Sequence, residues 1–427
     1  MQIIENNKIQ EKVYIEKMEN GLTVLVFPRK NIQKKYIIWG TRFGSIDNHF
    51  ISPGDNEETV VPDGIAHYLE HKLFEQENGK NSLDVLSSLG VDANAYTGNN
   101  MTAYLYECSD NFYKALDEFM NYVQNPYFTD ENVEKERGII GQEIMMYNDY
   151  PDWQLYMNAI KCMYSKNAIR IDVAGTKETI AKIDKEKLYK IYNTFYRLDN
   201  MVMAVCGDFE VKEIIEEISK RITLPRNNTE IKRLYEKEPD EIFQKQAETE
   251  MQISLPLFMI GYKDKVEIEK FTKKDLAMDI IFYLILGKSS KLYQELYNEG
   301  LLYTELSYDY EFSRNYAHFL IQGQSDNPEL VIERIKSEIE EFKNTGFDEK
   351  EFTRIKKKLY GEYVKEYNDI GAVANSLITD YMKGIEPFAY FEEFNTLTKE
   401  NAEEILKEVF LEDKSVVSVV KPLKEEK

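Results

Sequence analysis

Residues 63–75 are DGIAHYLEHKLFE. The segment from Gly64 to about Gln76 has the pattern of a helix, with Asp63 placed to cap its N-terminus. At 100° per residue His67, Glu70, His71 and Phe74 share one face. Ile65, Leu69 and Leu73 fall on the opposite face. The helix can therefore lay its apolar side on a sheet while presenting two imidazoles together. The whole chain has four histidines (His49, His67, His71, His318), and two of them stand one helical turn apart.

Two histidines at i and i+4 can reach one metal ion, and zinc takes imidazole nitrogens at about 2.0–2.1 Å in tetrahedral geometry. A glutamate on the same face can reach a water activated by that ion, whose pKa falls to about 7. The carboxylate can take the proton and later give it to a leaving amine. A chance HxxEH in a chain of this length is expected on the order of once in a few hundred sequences. Zinc also needs a third protein ligand, with one position left open. The segment EKERGIIGQEIMMY (134–147) offers Glu136 and Glu143, seven residues apart and so on one helical face. That face also carries Ile139 and Ile140 and is expected to be buried. A carboxylate there needs a partner, because burying it unpaired is costly. A metal would supply one; so would a salt bridge to Arg137 or Lys135, and the spacing alone does not choose.

Outward from the motif, the first ~220 residues alternate strand and helix patterns. NGLTVLVFPR (20–29) and KKYIIWGTRFGS (34–45) read as strands, and SLDVLSSLG (82–90) as a helix stopped by glycine. DANAYTGNNMTAYLYEC (92–108) reads as two strands turning at Gly98-Asn99-Asn100. Helices at 111–124 and 130–149 follow, then a strand at DNMVMAVCGDF (199–209). The polar run PRNNTEIKRLYEKEPDEIFQKQAETE (225–250) reads as a linker. After it the same order returns: strand, two helices, paired strands, helices and a closing strand, KSVVSVVKPL (414–423). The expectation is an α+β fold of two related αβ domains in tandem, each a mixed sheet with helices on one face. The boundaries are 1–224 for a catalytic domain, 225–250 for the linker, and 251–427 for a related domain without a metal motif.

Composition narrows the function classes. The chain has 427 residues, 43% of them hydrophobic, with 30 Tyr and 22 Phe. Its formal net charge of −22 argues against nucleic acid as a ligand, since phosphate binding requires a basic stripe. No Walker-type glycine loop or GxGxxG occurs. The opening residues 1–21 are charged throughout and do not resemble a signal peptide. No apolar run approaches the ~18 residues of a membrane span. The three cysteines, Cys108, Cys162 and Cys206, are isolated and read as small buried hydrophobes in a reducing, cytoplasmic setting. His318 reads as a packing residue in a strand, His49 as an exposed residue after a turn. The charged runs FLEDK (410–414) and KEEK (424–427) read as solvated faces.

HYLEH resembles the inverted zinc motif of the pitrilysin/insulinase peptidases, the inverzincins. ERGIIGQE (136–143) resembles that family's segment for the third ligand. The resemblance implies that Glu143 is a zinc ligand with His67 and His71, that Glu136 supports it, and that Glu70 is the catalytic base. GVDANAYTGNNMTAYLYE (90–107) resembles the family's edge strand, which implies that Asn94 and Ala95 contact peptide substrate. The length resembles half-size bacterial members that work as paired subunits in a dimeric chamber, so the implied partner is a homologous half-size chain, as a homodimer or a heterodimer. Such proteins are associated with processing of ribosomally made peptides.

SSKLYQELYNEGLLY (289–303) resembles the family's second-domain segment, where an Arg stands seven residues before a Tyr. Tyr303 is present, but Leu296 occupies the Arg position; an alternative alignment puts Tyr297 there. One expectation is therefore a heterodimer whose partner supplies a complete Arg/Tyr pair. The other is that the Arg is dispensable. The resemblance thus implies a zinc (Zn2+) metalloendopeptidase for short unstructured peptides, with Tyr303 donating to the oxyanion across a subunit interface. No nucleic acid or membrane partner is implied. The rival reading is a non-catalytic assembly or peptide-binding subunit on the same fold.

Overall fold

A computed structural model describes residues 1–226 and 229–423. Two positions of the expected linker and the 424–427 run lie outside the described residues. Fifteen strands are present among them: β1 Gln2–Asn6, β2 Glu11–Lys17, β3 Thr23–Pro28, β4 Lys35–Thr41, β5 His49–Ile51, β6 Thr59–Val60, β7 Asp92–Thr97, β8 Thr102–Cys108, β9 Met201–Gly207, β10 Lys232–Arg233, β11 Gln246–Met251, β12 Leu257–Lys263, β13 Ser307–Phe312, β14 Ala317–Gln324 and β15 Ser415–Pro422.

The chain folds as two compact units. The first comprises 1–144, 171–235 and 364–388, the second 145–170, 236–363 and 389–427. The first unit's main sheet has the order β1-β2-β3-β9-β4-β8-β7, the second's the order β11-β15-β12-β14-β13. From β3 in the first and β11 in the second, the five-strand pairings correspond, with β1 and β2 added at the edge of the first. β3 runs parallel to β9 as β11 does to β15, and every later neighbour is antiparallel. The repeated element order read from the sequence is thus a duplicated fold of two mixed αβ domains.

The units are not contiguous halves of the chain. Within the first, the helix Ile370–Lys383, from late in the sequence, packs on β4 and β9. Within the second, the helix Pro151–Met163 packs on β11, β12 and β15. A glycine in an interior strand, Gly40 of β4 and Gly261 of β12, admits each helix. A Cβ at Gly40 would stand 3.1 Å from Ile378 and 3.0 Å from Met382, and one at Gly261 would stand 3.1 Å from Met163.

The run 225–250 is not a free linker. Ile231 is buried, β10 pairs with β5, and β11 is the edge strand of the second sheet. Arg233 binds Asp47 at 3.0 Å, and Tyr235 donates to the same carboxylate at 2.7 Å. Polar side chains such as Arg233 and Tyr235 thus have specific partners far away in sequence, which composition does not reveal.

The three cysteines are buried and free, as read from the sequence. His318 is buried with Nδ1 3.0 Å from the Tyr164 hydroxyl, a packing residue as expected. His49 is not exposed. It lies half-buried in β5 with Nε2 2.9 Å from Glu58. No helix among the described residues is long and apolar enough to cross a membrane.

Candidate metal centre

The motif helix, α1, spans Ile65–Lys72 and is shorter than the pattern suggested. Asp63 does not cap it; its carboxylate accepts from Asn48 instead, at 2.9 Å. The N-cap is Gly64, in the left-handed region at φ 88°. A Cβ at Gly64 would lie 2.4 Å from the Ala174 carbonyl oxygen, and one at Gly175 would lie 2.5 Å from that of Asp63. The two glycines allow two backbone turns to touch at the start of α1. Ile65, Tyr68 and Leu69 are buried, which fixes the helix rotation. Phe74 lies past the helix end and joins the aromatic core with Tyr104 and Tyr122.

Helix α2 is Ser82–Ser88, α3 is Phe112–Gln124 and α4 is Asp130–Asn148. On α4, Glu136 and Ile140 are buried, whereas Ile139 is 48% exposed. The face carrying Glu136 and Glu143 is therefore only partly covered. Neither Arg137 nor Lys135 takes Glu136: Arg137 pairs with Glu134, and Lys135 lies 3.4 Å from Glu75.

The Glu143 carboxylate instead faces both histidines. Its Oε1 is 3.5 Å from His67 Nε2 and its Oε2 3.6 Å from His71 Nε2. Donor atoms of all three residues lie within 4.8 Å of one another, and this is the one such grouping among the described residues. Two atoms bound to a single tetrahedral zinc at about 2.0–2.1 Å stand about 3.4 Å apart. The observed separations are long for hydrogen bonds and suit ligands around a shared cation, so the residues present fit zinc.

Glu136 lies behind this cluster, with Oε1 3.0 Å from His71 Nδ1. That contact directs Nε2 toward Glu143. Lys72, fully buried, stands 3.6 Å from Glu136 Oε2 and 2.7 Å from Glu75. This lysine was missed in the sequence. The one signal was that a buried Glu136 requires a cationic neighbour, and α1 supplies it rather than α4. Burial opposes the charge on Glu136, yet His71 and Lys72 together hold its carboxyl below the ordinary range. His67 does the same for Glu143.

Glu70 is buried beside the cluster, and burial pushes its carboxyl above the ordinary range. The Thr97 hydroxyl donates to its Oε2 at 2.7 Å. Thr97 ends β7, which is an edge strand of the first sheet. Asn94 on that strand is exposed and Ala95 half-buried, and the Ala95 N–H donates to Asn94 Oδ1 at 2.9 Å. Tyr303 belongs to the second unit. It is exposed, and its hydroxyl donates to Asp326 at 2.6 Å. Leu296 is wholly buried, while Tyr297 is exposed and stacks on Tyr293. Of the two alignments for the absent Arg, the Tyr297 position is the one that faces solvent.

The insulinase model of peptidase family M16 matches residues 50–177, which contain the whole cluster. The model of the M16 inactive domain matches residues 182–359. An uncharacterised zinc protease of Bacillus subtilis, YmfH, is 37% identical over 424 residues, covering 98% of this chain and 99% of that protein. The chain belongs to the M16 (insulinase) peptidase family. With its His-His-Glu cluster it is a zinc metallopeptidase of that family. Among solved structures, one assigned to an M16-like peptidase of Alicyclobacillus acidocaldarius superposes with TM-score 0.92 at 32% identity, covering 98% of this chain and all of that one. The periplasmic protease PqqL of Escherichia coli shares the fold at TM-score 0.78 and 16% identity; all of this M16 chain corresponds to half of that one.

Proposed function

We propose that this M16 peptidase is a zinc endopeptidase for short, unstructured peptides, with His67, His71 and Glu143 as metal ligands and Glu70 as base. The observation that carries the reading is the two 3.5–3.6 Å separations between Glu143 and the imidazole Nε2 atoms, with buried Glu70 alongside. Bound zinc would supply a Lewis acid and a water of pKa about 7. Glu136 orients His71 from behind. Glu70 takes a proton from the attacking water and passes it to the leaving amine. The substrate lies extended along the open edge of β7, bound by main-chain groups near Asn94 and Ala95.

The chain acts as one half of a two-subunit chamber in the cytoplasm, and Tyr303 of one subunit donates to the developing oxyanion in the other. Support for the half-size reading is the correspondence of this whole chain to half of PqqL. Exposed Tyr303, hydrogen-bonded to Asp326 but otherwise open, suits a role toward a second chain. The absence of Arg at both Leu296 and the solvent-facing Tyr297 favours a homologous partner that supplies it. The proposed substrates are ribosomally made peptide precursors.

The test is zinc content and peptide cleavage together. Glu70→Gln is expected to keep zinc and abolish cleavage, and His71→Ala to lose both. Cleavage retained by Glu70→Gln would refute the assignment of the base. A homodimer of this chain with full activity would remove the case for a heterologous partner.

A further inference from the structure

Among the described residues, Thr97 is the sole hydrogen-bond donor to the Glu70 carboxylate. The contact is made with Oε2. The hydroxyl has a single proton and two neighbours that can accept it, Glu70 Oε2 at 2.7 Å and Thr102 Oγ1 at 3.3 Å. The carboxylate is both nearer and charged, so it takes the proton. Thr102 is itself fully buried and donates to the Phe43 carbonyl at 3.0 Å. Its proton is thereby used, and it does not compete for the carboxylate.

The hairpin explains why Thr97 stands there. Thr97 and Thr102 are the last register pair of β7 and β8, closed by a turn in which the Gly98 N–H donates to the Met101 carbonyl. Strand side chains alternate, so Ala93, Ala95 and Thr97 point to one face. α1 packs on β7. Two alanines followed by a threonine let the helix approach closely and then meet Glu70 with a hydroxyl.

We infer that Thr97 is a positioning residue for Glu70: its hydroxyl holds one carboxylate oxygen so that the other is directed at the reacting water. The inference rests on Glu70 being the base. It also places that hold on the strand proposed to bind substrate, two residues beyond Ala95.

The experiment compares zinc-loaded wild type, Thr97→Val, Thr97→Ala, Thr97→Ser and Glu70→Gln. It measures zinc content, thermal midpoint, the crystallographic position of the Glu70 side chain, and kcat and KM on the fastest-cleaved member of an internally quenched peptide library. Thr97→Val and Thr97→Ala are expected to keep full zinc, leave KM within about twofold, and lower kcat about 10- to 100-fold, in line with loss of a hydrogen bond to a charged group. Thr97→Ser is expected to recover most of that loss. In the valine crystal, Glu70 leaves its wild-type position. Wild-type kcat in Thr97→Val beside an inactive Glu70→Gln would overturn the inference and leave the base standing. An unmoved Glu70 in the valine crystal would also overturn it. So would loss of zinc or fold in both Val and Ala variants without recovery in Ser, which marks a merely structural role. An active Glu70→Gln would remove the base itself, a different failure.

Discussion

His71 turns Nδ1 onto Glu136 at 3.0 Å and so presents Nε2 to Glu143. A carboxylate on the far nitrogen fixes the tautomer and raises the donor strength of the near one. Glu136→Gln is expected to weaken zinc binding about 10- to 100-fold while leaving the fold intact. Competition with a chelator of known affinity reads this directly. Unchanged affinity would mean that Glu136 serves only Lys72.

The start of α1 gives a second prediction. Gly64 sits at φ 88°, with the Ala174 carbonyl where a side chain would go. Gly64→Ala combines a left-handed strain of about 1–2 kcal/mol with a clash that must push two turns apart. The thermal midpoint is expected to fall and zinc affinity with it, because α1 carries both histidines. Gly90→Ala is a useful control. Its φ is 74°, but a Cβ there meets open space, so it should destabilise without changing zinc affinity. Equal zinc affinity in both variants would show that the contact at Ala174 does not position the site.

The open edge of β7 gives a third. The Ala95 N–H donates to the side chain of its own neighbour, Asn94, so an extended substrate must displace that contact to bind there. Ala95→Pro removes the donor, and proline is tolerated on edge strands. KM is expected to rise several-fold with a smaller change in kcat. A kcat loss at unchanged KM would point away from strand addition at this edge.

The reach of the sequence follows from how local each feature is. The rotation of α1 was legible because a 3.6-residue period needs no tertiary knowledge, and the same period narrowed the third carboxylate to Glu136 and Glu143. The choice between those two was not a matter of spacing; it depends on which one meets the imidazole Nε2 atoms across the gap between two helices. Lys72 was invisible because its burial comes from α4 and Glu75 rather than from α1's own pattern. Gly64 was read past in favour of Asp63, since an aspartate before a helix is the commoner cap. The packing of Ile370–Lys383 on β4 joins residues more than three hundred positions apart, and no periodicity carries that.

The segment read as a linker yields the last prediction. Glu238 accepts from the main-chain N–H groups of Ser165, Lys166 and Asn167 at 2.7–3.0 Å, and from Lys263 at 2.8 Å. Burial opposes its charge, but these donors together hold its carboxyl below the ordinary range. Burial also pulls Lys263 down, so the two partners do not gain equally from the pair. Glu238 is the better-held member, because three amides bind it besides the lysine. A group whose folded pKa lies below its unfolded value stabilises the fold above the unfolded pKa, and that stability is lost as pH falls through the folded one. Glu238→Gln is therefore expected to cost about 2 kcal/mol at pH 7, the scale of hydrogen bonds to a charged group. Lys263 keeps three carbonyl acceptors in the variant, at Met163, Pro239 and Glu241, which limits the loss. The gap between wild type and variant should be constant near neutrality and shrink once the pH drops below about 4.5. Urea unfolding of both proteins across pH 3.5 to 7 measures it. A gap that stays level through the acid range would show that Glu238 contributes through shape rather than charge.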